Sequence, residues 1–201
     1  MKCITFDDFH NSVYCIAFPI FKKYRVPGTV FVNGANLDLL AIKELKEMQG
    51  AGWEVSSHGM NHKRLPMLTA REIRLELEEN IDLLRANGFT GKGLAYPWGM
   101  YTNSVIDIVK EYHTYARATV ATRHSHHEEK YHIRSTVLSC KTMLESAVNS
   151  ENNFYHGHHI SYAINSHSWS PDCLRLLIKA LKHKGERLMT GGEFHRCKNT
   201  V

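Results

Sequence analysis

Three runs between Thr29 and Ser57 decide how the fold is read: Thr29-Val30-Phe31-Val32, then Leu39 to Gly50, then Trp53-Glu54-Val55-Ser56-Ser57. The first is short, apolar and β-branched, comes after the break Arg25-Val26-Pro27-Gly28, and reads as a strand buried on both faces. The second is a helix candidate, and the third is another strand. A helix set between two such strands argues for an α/β architecture around a mainly parallel sheet.

The same alternation extends in both directions. Lys2 to Phe6 reads as a strand, succeeded by an amphipathic stretch from Ser12 to Tyr24. Thr69 and Glu72 form a capping-box pattern ahead of Ile73, Leu77, Ile81 and Leu84, so a long helix is expected to end at Asn87-Gly88. Further strands are expected at Gly93 to Ala95, Tyr115 to Ala118, Tyr131 to Arg134 and Asn153 to His158, with helices at Asn103 to Lys110 and Lys141 to Asn149. Ala121 to Lys130 reads as a polar, histidine-rich loop. Ser170-Pro171-Asp172 opens a final helix that carries Leu174, Leu177, Ile178 and Leu181 on one face. About seven strand-and-helix units result, enough for a barrel-like or doubly wound fold.

Composition narrows the class. The 201 residues suit a single domain, residues 1–201, and 43% hydrophobic with 22% charged residues is a globular profile. Lys and Arg exceed Asp and Glu by 25 to 20 but are scattered among them, which argues against a nucleic-acid partner. The five cysteines are widely spaced with no Cys-x-x-Cys pair, so reduced thiols are expected. There is no basic start leading into a long apolar region and no window of membrane-spanning length, so the expectation is a cytoplasmic protein with no membrane partner, or an extracellular one if the chain is a fragment.

Three expected strand ends carry candidate chemistry. Asp7-Asp8 lies where the strand Ile4-Thr5-Phe6 turns polar, the edge of a parallel sheet where ligands collect; the pair also suits a turn with an N-cap Asp. His58-Gly59-Met60-Asn61-His62 comes directly after the strand Trp53 to Ser57, and a helical turn there would put both imidazoles on one side. With 14 histidines in the chain such spacing alone is weak, and its position matters more. Two His and one carboxylate leave coordination positions open for water and substrate, as a catalytic ion needs, and a second carboxylate beside them can act as a base. Tyr96-Pro97-Trp98-Gly99 comes after a third strand and offers backbone N–H groups to an oxyanion, or is a plain turn with aromatic packing.

Together these motifs resemble the polysaccharide deacetylase family, also called the NodB homology domain or carbohydrate esterase family 4. Thr5-Phe6-Asp7-Asp8 is similar to its first motif, Ser57-His58-Gly59-Met60-Asn61-His62 to its second, and Tyr96-Pro97-Trp98-Gly99 to its third, in the family's order. The resemblance implies a distorted seven-stranded (β/α) barrel and one divalent metal ion, zinc foremost with cobalt, nickel or manganese as alternatives. It implies Asp8, His58 and His62 as metal ligands, Asp7 as catalytic base, and removal of acetyl groups from a carbohydrate polymer or oligosaccharide. A late histidine at the end of a short strand is implied as the acid; His158 fits best, with His167 as its rival. Pro97, Trp98 and Arg134 are the expected substrate-side residues.

Two positions depart from the pattern. Phe9 stands where the family has Gly, and Ala95 stands where it has the Arg that orients the base. Arg134, on a later strand, is expected to supply that charge. The departures keep two other functions open: a hydrolase of a small non-sugar amide or imide, and a degenerate glycan-binding protein without turnover.

Overall fold

In the computed structural model, which describes residues 1–119, 129–137, 154–157, 159–160 and 168–198, seven parallel strands close a barrel in chain order. They are β1 (Cys3–Asp7), β2 (Thr29–Val32), β3 (Glu54–Ser57), β4 (Gly93–Ala95), β5 (Tyr115–Ala118), β6 (Ile133–Val137) and β7 (Phe154–Gly157). β7 returns to β1 with Thr5 registered against His156, and β1 meets β2 with Thr5 against Thr29. β4 is short, with three residues, and meets β3 through the Ser57–Leu94 pair. A small parallel pair, β8 (His159–Ile160) and β9 (Ser168–Trp169), lies outside the barrel sheet. The expected loop at 121–128 and helix at 141–149 lie outside the described residues.

Helices α1 (Phe18–Tyr24), α2 (Leu39–Gly50), α3 (Ala70–Ala86), α4 (Asn103–Tyr112), α5 (Pro171–His183) and α6 (Gly191–Lys198) accompany the sheet. The amphipathic stretch before α1 begins as a wider π-type turn, Val13–Ala17, which buries Val13 and Ala17. Local chemistry explains the other boundaries. The Asp38, Thr69, Thr102 and Ser170 side chains each accept a backbone N–H at the start of α2, α3, α4 and α5. α3 ends in a Schellman pattern: Phe89 N–H reaches Leu84 O, Gly88 N–H reaches Arg85 O, and Gly88 takes the left-handed φ of 80°.

Strand alternation divides the core. Ile4, Phe6, Val30, Val32 and Val55 pack outward among α1, α2 and α5 residues, while Leu94, Ala116 and Ala118 pack against α3 and α4. Cys3, Phe31, Ala95, Tyr115 and Phe154 turn inward and meet Met189 and Phe194, so the C-terminal segment plugs the floor of the barrel. The Glu54 carboxylate ties that plug down by accepting from the Tyr115 hydroxyl at 2.8 Å and the Gly192 N–H at 2.6 Å. Sequence patterning does not anticipate α6. Among the described residues no helix is long and apolar enough to cross a membrane.

Candidate active site

The opposite end of the barrel, where the strands finish, gathers the candidate residues. Asp7 closes β1 and is 2% exposed, its carboxylate pointing into the barrel interior. A terminal guanidinium nitrogen of Arg117 donates to both Asp7 oxygens at 2.5 Å each. Arg117 is 1% exposed; it also donates to the Ser135 hydroxyl at 3.3 Å and lies 5.2 Å from the Phe31 ring centroid. Two charges buried this deeply are tolerated because each satisfies the other.

Among the described residues the charge beside Asp7 comes from Arg117 on β5, a residue not singled out from the sequence; Arg134 on β6 is the one expected there. β5 lies next to β4, and Arg117 is registered against Ala95, the position at which the family pattern has Arg. A guanidinium from the neighbouring strand reaches the same level of the barrel, and the small Ala95 leaves it room. The signal in the sequence is a lone Arg inside Tyr115-Ala116-Arg117-Ala118, two residues from a buried Tyr and so on the same inward face. The backbone of Arg134 pairs with Ala118, and its side chain is outside the described residues.

Past β1 the chain turns sharply, Asp8 at φ 65° and Phe9 at φ 49°. Left-handed geometry at two non-glycine residues is strained, and such strain gathers at functional sites. Phe9 adopts the turn without the family's Gly by packing its half-buried ring against the core. The turn presents the Asp8 carboxylate, one oxygen of which accepts from Asn33 Nδ2 at 3.1 Å.

His58 comes directly after β3 and is 1% exposed; its Nδ1 lies 2.8 Å from Ala95 O. That bond assigns the proton to Nδ1 and leaves Nε2 as a lone-pair donor. Burial holds the imidazole below the ordinary histidine pKa, against the opposing pull of Asp7 and Asp8, which favours the neutral ligand form. The segment to His62 is not the helical turn expected from the spacing, because Gly59 has φ 79° and His62 φ 54°. The two Nε2 atoms still converge, 3.1 Å apart, and each lies 3.7 Å from the same Asp8 oxygen.

Donor type and spacing suit one divalent ion. Nitrogen ligands about 2.0–2.1 Å from a tetrahedral zinc stand about 3.3 Å from each other, close to this triangle. Asp8, His58 and His62 are the metal-capable cluster among the described residues. The third motif lines one side. Pro97 is buried, and Trp98, at φ 61° and 56% exposed, donates its indole N–H to His62 O at 3.1 Å. The Arg64 guanidinium lies 4.4 Å from the Trp98 ring centroid. His158 and His167 lie outside the described residues.

A parallel α/β barrel with a two-His, one-carboxylate cluster and a buried acid at its strand ends has the layout of a metal-dependent hydrolase. The profile of the family described as polysaccharide deacetylase matches residues 1–117, and the chain belongs to that family. A poly-β-1,6-N-acetyl-D-glucosamine N-deacetylase of Staphylococcus aureus is 31% identical over 126 residues, 54% of this chain and 43% of that protein. The chain therefore spans less than half the length of that curated relative. The fold matches a family 4 acetyl xylan esterase from Clostridium thermocellum, solved with a cobalt ion, at TM-score 0.72 and 18% identity over 98% of this chain and 91% of that one. It matches a family 4 pseudoenzyme from Bacillus anthracis at TM-score 0.75 and 18% identity, over 97% and 65%.

Proposed function

We propose that the protein is a metal-dependent hydrolase that removes acetyl groups, N-acetyl foremost, from a carbohydrate polymer or oligosaccharide. The observation that carries this is the Asp8–His58–His62 triangle set beside the buried Asp7–Arg117 pair. Asp8, His58 and His62 would hold the ion, zinc by preference, with cobalt, nickel or manganese as substitutes. When bound, such an ion acidifies water and polarises a carbonyl oxygen.

Asp7 takes the proton from the water that adds to the acetyl carbon. Arg117 keeps that carboxylate aimed and its charge compensated throughout. The Trp98 backbone N–H faces the developing oxyanion, and Pro97 and Trp98 with Arg134 border the substrate. His158 protonates the amine as the carbon–nitrogen bond breaks, leaving acetate and a free amino sugar. His167 is the alternative acid. The name of the Staphylococcus aureus relative supports an N-acetylated sugar over a small amide or imide. The non-catalytic reading rests on Ala95 and Phe9, and the Arg117 guanidinium beside Asp7 weakens it.

The test is acetate release from N-acetylated glucosamine oligomers by the metal-loaded protein. Asp7→Asn is expected to lower turnover at least about a hundredfold while the bound metal, measured by elemental analysis, is retained. Full activity in Asp7→Asn would remove the assigned base.

A further inference from the structure

One buried carboxylate has no part in that chemistry. The face of α3 that meets the barrel is apolar at Ile73, Leu77, Ile81 and Leu84, yet it also buries Glu76 and Asn80. Glu76 is 2% exposed, a costly place for a carboxylate unless its oxygens are occupied. They are occupied by the loop between the two histidines. Oε1 accepts from the backbone N–H groups of Asn61 at 2.5 Å and Lys63 at 3.4 Å, and Oε2 accepts from Asn61 Nδ2 at 3.0 Å. The Glu76 carbonyl adds a bond from Met60 N–H at 3.0 Å.

We infer that Glu76 is a positioning residue of the metal centre, its carboxylate locking the segment from Met60 to Lys63 so that His62 Nε2 stays beside His58 Nε2. This rests on the metal reading above. The segment needs such a clamp because it is neither helix nor strand and His62 holds a left-handed φ of 54°, a conformation that persists only when its surroundings impose it. A carboxylate suits the role because all three donors converge on it and it only accepts. A glutamine there would turn one of its own N–H groups toward one of them. Ala95 O orients His58, Asn33 orients Asp8, and Glu76 completes the set for His62 by holding the backbone on both sides of it.

The experiment uses the full chain stripped of metal and titrated with cobalt(II), read by calorimetry and by the visible absorption of the bound ion. Glu76→Gln and Glu76→Ala are expected to weaken cobalt binding by about ten- to a hundredfold and to shift the absorption bands. Glu76→Gln combined with Asn61→Asp reverses donor and acceptor at unchanged net charge, and is expected to restore affinity and spectrum. If Glu76→Ala does not fold, the glutamine variant and the reversed pair decide. Wild-type affinity and spectrum in a folded Glu76→Gln would overturn this inference alone, as would a loss that the reversed pair does not recover. A wild-type protein that takes up no cobalt would overturn the metal reading and this inference with it.

Discussion

Asp7 is partnered by a guanidinium 110 residues further along the chain, and neither group has solvent to fall back on. Breaking one side of such a pair costs about 3–5 kcal/mol, because the other charge stays buried without it. Arg117→Met is therefore expected to destabilise the protein by about that amount, and Arg117→Met with Asp7→Asn by clearly less. Urea unfolding of the two single variants and the double variant measures the coupling. Additive effects would mean that the contact contributes little. Asp7, Asp8, His58 and His62 are legible in the sequence because short motifs at strand ends carry them. Arg117, Asn33 and Glu76 are harder to read, since each acts through a partner on another strand or helix; Arg117 alone leaves a local trace, as a lone Arg on the inward face of a buried strand.

At the scale of elements, α2, β2 and β4 have the boundaries expected from sequence, because caps, glycines and β-branched runs act within a few residues. α3 shows the expected capping box, in which Thr69 Oγ accepts the Glu72 N–H at 3.3 Å and the Glu72 carboxylate accepts the Thr69 N–H at 2.8 Å. Thr69→Ala is expected to cost about 1 kcal/mol by thermal or urea unfolding while cobalt affinity stays at the wild-type value. That variant separates the stability of α3 from the specific hold of Glu76 on the histidine loop. The loop itself departs from expectation. A His-x-x-x-His spacing is compatible with a helical turn, but Gly59 and the ties to α3 impose another path to the same convergence.

At the scale of the whole molecule, His113 is a group away from the site that makes stability depend on acid. His113, between α4 and β5, is buried with Nδ1 3.2 Å from Gly91 O, and burial pushes its pKa from 6.5 down to about 4. Above pH 6.5 the imidazole is neutral in both folded and unfolded chains and carries no penalty. As pH falls from 6.5 toward 4 the unfolded chain takes up the proton and the folded one does not, so stability drops. The full loss is about 3 kcal/mol. His113→Phe is expected to flatten the stability profile by about 1.4 kcal/mol per pH unit across that window, and equal slopes in urea unfolding would contradict it.

What the sequence by itself determined was the alternation of strands and helices of an α/β fold, and the four residues at two strand ends whose resemblance to a family's motifs implies a barrel. These are local properties, written in periodicity, caps and contiguous motifs. The tertiary structure decided which charge faces Asp7, how the histidine loop bends, and that α6 closes the barrel floor. Each of those depends on which strands lie side by side and which side chains share the interior. Register between β4 and β5 put Arg117 beside Ala95, and burial made the pairing with Asp7 obligatory.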